Sequence, residues 1–303
     1  MNAIPVARAL AVASALACVA AAAHAQAPAP PDFSKVEVQT SQLAPNVYRF
    51  EAVGPALVGN AGMLTGADGI FMVDAQFAQL TDKLVAAIRK VSDAPIRFLV
   101  NTHHHPDHTS GDANFAKMGT VILSRDELRA HLAAGNNPPP PGGLPMVTYR
   151  GPVTIHMNGE DVQLIPVANA HTDGDTMIYF PNADVLMVGD FYRSIQYPNI
   201  DRTNGGSLKG VVDGLNAVIA LAKPTTKIVP GHGPVVDKTV VAANRDMILT
   251  IRDRVAALIA QGKSQEDVIA AKPLADLDAK VQQAGTTGDR FLGQVYADLK
   301  AGK

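Results

Sequence analysis

The stretch Ile96-Arg97-Phe98-Leu99-Val100-Asn101-Thr102-His103-His104-His105-Pro106-Asp107-His108 decides how this chain is read. Its first part, Ile96 to Asn101, is a mostly apolar run of strand length and reads as a buried strand. Its second part carries the pattern His-x-His-x-Asp-His in His103, His105, Asp107 and His108. Gly111 and then Ala113 to Lys117 follow as a loop entering a helix. Histidine fills 9 of 303 positions, so four in six consecutive places is no accident of composition. Imidazole is the commonest side-chain metal ligand. Polar ligands at the carboxyl end of a buried strand are where α/β folds usually put their chemistry.

The amino-terminal residues belong to targeting rather than to the fold. Met1 to Arg8 is short and weakly basic, Ala9 to Ala23 is small and apolar, and Ala23-His24-Ala25 is a small-x-small cleavage pattern. Residues 1–25 are therefore expected to be a signal peptide cut near Ala25/Gln26, leaving a periplasmic or secreted protein. The apolar run is too short for a bilayer and leads into Pro28-Ala29-Pro30-Pro31, so no stable membrane anchor is expected. Cys18, the single cysteine, lies inside this segment, and the apolar run continuing past it disfavours a lipoprotein site. Any metal in the mature chain must then be held by nitrogen and oxygen. Without Arg8, 25 basic residues face 28 acidic ones, a net of about −3. That balance argues against a nucleic-acid partner, and a small-molecule substrate is expected. Residues 26–44 are expected to be a flexible leader, and 45–303 one large domain ending in helices.

Strand patterns recur at 47–50, 61–65, 70–74, 153–157, 162–167, 175–180, 184–188 and 227–229. Helical spacing marks 81–91, 125–133, 207–221 and 240–259. Residues 135–151 hold five prolines and four glycines and read as a long loop of the kind that often serves function. Strand hairpins, a strand–helix unit, then the same order again predict two packed sheets with helices outside.

Three further residues stand at strand ends: His171 before one strand, Asp190 closing Val185 to Gly189, and His232 after Ile228-Val229-Pro230-Gly231. Singly, each is an ordinary turn or core residue. With the first cluster they make five histidines and two aspartates, enough ligands for two ions. His131 and His156 read as structural. Asp74, at the end of a strand, either orients a ligand histidine or is a turn residue.

In order and rough spacing this set resembles the metallo-β-lactamase superfamily, over about residues 45–260. The contexts Asn101-Thr102-His103, His171-Thr172-Asp173-Gly174-Asp175, Val188-Gly189-Asp190 and Pro230-Gly231-His232-Gly233-Pro234 are similar as well. The resemblance implies a four-layer αβ/βα sandwich with a metal cleft at one edge of its two sheets. It implies two zinc ions, with iron or manganese as alternatives. His103, His105 and His171 would serve the first ion, Asp107, His108 and His232 the second, and Asp190 would bridge them. His104 is expected to point away. Such a site delivers hydroxide to an electrophilic centre, with Asp107 orienting the nucleophile.

The substrate is less local. Asp190 stands where zinc β-lactamases carry cysteine or a non-ligand, and where glyoxalase II and lactonases carry aspartate. Arg193 stands where the cysteine-bearing β-lactamases place a lysine for the substrate carboxylate, and Asn199 and Asn204 are candidate oxyanion donors. The expected activity is opening of a cyclic amide or ester, including β-lactams. The alternatives are a glyoxalase II-type thioesterase, a lactonase and a non-catalytic zinc- or partner-binding module. The segment Gly54–Gly62 and the loop 135–151 are expected to border the cleft.

Overall fold

A computed structural model describes residues 31–135, 138–282 and 285–302; the expected signal peptide and residues 26–30 lie outside them. Within the unit 32–303, two sheets are built in sequence order. The first runs β1 (Glu37–Ala44), β2 (Val47–Val53), β3 (Ala61–Gly66), β4 (Gly69–Val73), β5 (Ile96–Val100), β6 (Val121–Arg125) and β7 (Val147–Tyr149). Its first four strands are antiparallel and β4 to β7 are parallel. The second holds β8 (Val153–Met157), β9 (Glu160–Pro166), β10 (Thr176–Phe180), β11 (Val185–Met187) and β12 (Lys227–Val229). There only the β11–β12 pair is parallel.

Alternation along each strand sorts side chains into layers. In β4, Phe71 and Val73 join Ile178 and Phe180 of β10 in a core between the sheets. Phe71 meets Phe180 edge-on at 6.5 Å. Ile70 and Met72 face the other way, onto Leu84 and Ile88 of α1 (Thr81–Arg89) and Phe115 of α3 (Asp112–Lys117). Likewise Met177 and Tyr179 of β10 face α5 (Leu208–Leu221), α6 (Lys238–Ala260) and α9 (Gly288–Lys300). The result is helix, sheet, sheet, helix, the expected four-layer sandwich. The remaining helices are α2 (Pro106–Thr109), α4 (Asp126–Ala134), α7 (Gln265–Ala270) and α8 (Ala275–Asp278). No described helix is long and apolar enough to cross a membrane.

Two expectations need correction. Residues 37–44, placed in the leader, form the edge strand β1, paired antiparallel with β2 through a bulge at Gln42/Ala44. Most of its side chains are exposed, so it lacks the apolar alternation that marks a half-buried strand. The loop 135–151 contains the three-residue strand β7, which exists by pairing with Leu123, Ser124 and Arg125 of β6.

Candidate metal centre

The loops at one edge of the two sheets carry the seven expected ligands. The loop after β5 supplies His103 and His105, and α2 supplies Asp107 and His108. Pro106 opens that helix with its φ already helical, which fixes where the next two side chains emerge. His171 precedes β10, Asp190 follows β11 and His232 follows β12. The donors fall into two groups, His103, His105, His171 and Asp190, and Asp107, His108 and His232; within each group they lie within 4.8 Å of one another. Asp190 sits between them. Its Oδ2 is 3.9 Å from Nε2 of both His103 and His171 and 3.2 Å from Nε2 of His232, and its Oδ1 is 3.2 Å from Nε2 of His108.

Hydrogen bonds behind the rings fix which nitrogen keeps its lone pair. His108 Nδ1 donates to Asp74 Oδ2 at 2.7 Å, leaving Nε2 as the free face. Thr102 donates its hydroxyl to the same carboxylate oxygen at 2.8 Å and so accepts from His103 Nδ1 at 3.1 Å. His171 Nδ1 donates to the Asn199 carbonyl at 2.5 Å, and His105 Nε2 donates to Asp201 Oδ2 at 2.9 Å. The consequence is chemical: His171 Nε2 and His105 Nδ1 face each other at 2.8 Å with both protons committed elsewhere. His103 Nε2, His108 Nε2, His232 Nε2 and Asp190 Oδ1 are buried there without a hydrogen bond. A buried cluster of lone pairs is costly unless a cation lies among them. The donor set fits a divalent metal with nitrogen and oxygen preference.

Electrostatics separates the two groups: burial keeps His103 and His171 neutral, while the carboxylates beside His108 and His232 favour their protonated forms in the metal-free protein. Burial, then the neighbouring His108, holds His103 well below the ordinary histidine range, and burial brings His171 to about 3. Both are neutral ligands at working pH. Against the cost of burial, Asp107, Asp74 and Asp190 hold His108 well above the usual range. Burial would raise Asp107, but His108 and His232 keep it far below, and Arg193 with His232 does the same for Asp190.

Glycines let the backbone close on the site. A Cβ on Gly59 would stand 2.2 Å from His108 Cε1, and one on Gly231 would stand 1.9 Å from Asp190 Oδ1. The segment 54–62 thus borders the centre as expected. In the other expected border, Pro138, Pro139 and Pro140 line a cavity of about 470 Å³ with His104 and Pro106.

His104 turns away, its ring 4.7 Å from that of His131, which binds Asp173. It also groups with His105 and Asp201, but Asp201 already takes the Nε2 proton of His105, which makes this group a support for a ligand. His156 bonds Asp161 on the surface. Asp74 is an orienting residue: its two oxygens accept from Thr102 N, Thr102 Oγ1 and His108 Nδ1. Its φ of 62° places it in the left-handed region, where strain collects at functional sites.

The expected substrate contacts need revision. Arg193 is buried and gives Nη2 to Asp190 Oδ2 at 2.5 Å, so it belongs to the ligand scaffold. Asn204 gives its amide to Asp201 at 2.7 Å. Asn199 holds His171 through its carbonyl and accepts from Gln294 through its side chain, while also lining the cavity beside His105. Sequence reasoning missed Asp201 and Gln294. The pattern Asp201-Arg202-Thr203-Asn204-Gly205 reads as a plain turn, and nothing local marks Gln294.

The sequence model of the metallo-beta-lactamase superfamily matches residues 54–232. A linear primary-alkylsulfatase of Pseudomonas sp. (strain ATCC 19151) is 23% identical over 256 residues, covering 68% of this chain and 48% of the relative. A type 2 metallo-beta-lactamase of Bacillus sp. (strain 170) is 23% identical over 217 residues, covering 70% and 82%. The chain therefore spans about half the length of the alkylsulfatase it matches. Among solved structures, the sec-alkylsulfatase Pisa1 from Pseudomonas sp. superposes with a TM-score of 0.69 at 17% identity, covering 86% of this chain and 50% of that one. A metallo-beta-lactamase from Pontibacter korlensis gives 0.61 at 17% identity, covering 70% and 99%. These likenesses establish the sandwich, and the sequence match over 54–232 establishes descent: the chain belongs to the metallo-beta-lactamase superfamily, whose members are metal-dependent hydrolases.

Proposed function

We propose that the mature chain is an exported, periplasmic or secreted hydrolase with two zinc ions that opens a cyclic amide or ester of a small-molecule substrate. The observation that carries this reading is the meeting of imidazole lone pairs and the Asp190 carboxylate in one buried space. His103, His105 and His171 would hold one ion, Asp107, His108 and His232 the other, with Asp190 shared. Bound there, the ions would supply Lewis acidity for attack by water at neutral pH.

The protein's own groups do the positioning. Asp74, Asp201 and the Asn199 carbonyl fix the ring tautomers. Asp107, kept anionic by its histidines, is partly exposed, as is His105, so a substrate reaches the centre on that side. There the Asp107 carboxylate accepts a hydrogen bond from the nucleophile and orients it.

A panel of penicillin, cephalosporin, acyl-homoserine lactone and lactoylglutathione tests the reading on purified protein. Turnover is expected to vanish with chelator and in His171→Ala, and metal analysis to return two zinc ions per chain. Turnover that survives chelation would sink it. A second reading, cleavage of a sulfate ester, is favoured by the alkylsulfatase likeness, which extends over 86% of the chain against 70% for the β-lactamase. An alkyl sulfate added to the panel decides between them.

A further inference from the structure

Helix α9 lies beyond the segment 54–232 matched by the superfamily, yet it reaches the candidate centre. Gln294 accepts from Ile200 N at 3.1 Å and donates to Asn199 Oδ1 at 3.0 Å. Between α9 and residues 199–203 is a polar cavity of about 340 Å³ whose wall includes His105, Asp201, Arg202, Thr203, Arg290 and Gln294. One of the proposed ligands is thus also a wall of a cavity of small-ligand size.

The charges in this cavity are not equally available. Asp201 is saturated by His105 Nε2 and by the backbone and side-chain amides of Asn204. Arg202 gives Nε to the buried Asp298 at 2.5 Å and Nη2 to Ala297 O at 3.3 Å. Asp298 in turn also accepts from Leu208 N. These two carboxylates are committed to the scaffold, and the charge of Arg202 is already paired by Asp298. Arg290, in the first turn of α9, is exposed and makes a single long bond, to Gly285 O at 3.4 Å, with no carboxylate partner among the described residues. A guanidinium offers five donors in a fork that matches an oxyanion. Arg290 therefore has most of its donors left for a ligand.

We propose that this cavity binds an anionic group of the substrate, a carboxylate or a sulfonate-like oxyanion, and that Arg290 is the specificity-determining contact. The scissile bond then lies toward His105 and the charged end toward α9. This rests on the metal-centre reading above. It assigns the substrate class, small molecules carrying an oxyanion at a fixed distance from the reacting bond.

The test separates anchoring from charge recognition. Zinc-loaded full chain is titrated calorimetrically with ω-mercaptoalkyl carboxylates, sulfonates and carboxamides of increasing chain length, the thiol serving as the metal anchor in each. At the length that reaches Arg290, one acid is expected to bind about tenfold tighter than its amide, a gap of about 1.4 kcal/mol. The preferred acid identifies carboxylate or sulfonate as the recognised group. Arg290→Gln should bring that acid to the affinity of the amide, and Arg290→Lys should recover part of the gap, since a point charge lacks the fork. Arg290 is exposed, so the variants should fold, as their thermal transitions would verify. No acid preference at any length, or a preference that survives Arg290→Gln, overturns the inference while leaving the metal centre standing. Failure of the chain to retain zinc or bind any of the thiols overturns both.

Discussion

Nη2 of Arg193 lies 2.5 Å from Oδ2 of Asp190, and both side chains are buried. A full cation is therefore paired with the carboxylate that would join the two ions. Breaking a buried pair by removing one partner leaves an uncompensated charge and costs about 3–5 kcal/mol. Arg193→Ala should lower the melting temperature of the metal-free protein accordingly. Zinc, arriving beside the orphaned carboxylate, should restore more in the variant than it adds to the parent. Scanning calorimetry with and without zinc measures both. An equal zinc-induced rise in the two proteins would show that Arg193 does not act on Asp190.

Asp74 controls ligands on both sides of the centre, His108 directly and His103 through the Thr102 hydroxyl. Asp74→Asn keeps the shape, and Asn tolerates the left-handed backbone found here. It loses one acceptor oxygen and the charge that favours the correct tautomers. Supporting contacts of this kind are worth about 10–100-fold in metal affinity. Competition with a chromophoric chelator should show that loss for the variant. Unchanged affinity for both ions would reduce Asp74 to a turn residue.

What the sequence made legible was whatever is local. His103 to His108 sit in one loop and helix, and β4, β5 and β10 are mostly apolar, so both could be seen in a few residues. The supports could not. Asp201 lies 96 residues from His105, and Gln294 lies 95 from Asn199. Arg193 stands where the family comparison suggested a substrate contact, and burial turned it inward instead. Edge strand β1 failed for a related reason: its pairing with β2, not its own pattern, makes it a strand.

Gly59 approaches the His108 ring more closely than any side chain allows, with a Cβ contact of only 2.2 Å to Cε1. Neither neighbour can yield easily. His108 is held from behind by Asp74, and Gly59 O accepts from buried Gln76 Nε2 at 2.9 Å. Gly59→Ala should therefore displace His108 and weaken the group it shares with Asp107 and His232, leaving His103, His105 and His171 in place. Elemental analysis is expected to fall from two zinc ions per chain toward one. Retention of two would mean that the loop bearing Gly59 moves freely.

Asp112 offers a test of stability that does not depend on metal. It is fully buried, accepts from Asn101 Nδ2 at 3.0 Å, and its other oxygen has no partner. Burial raises its pKa well above the usual carboxylate range, and nearby Asp74 adds to the shift. The folded state then holds a proton that the unfolded state gives up above its ordinary pKa. The stability of this neutral form is complete below that ordinary value and is lost as pH climbs toward the folded pKa, by about 1.4 kcal/mol per pH unit. Asp112→Asn keeps a neutral donor and acceptor and removes the linkage. The chelator-treated variant should melt higher than the parent at pH 8, with the gain shrinking toward pH 4. A gain independent of pH, or a loss at pH 8, would mean that Asp112 is ionised in the fold.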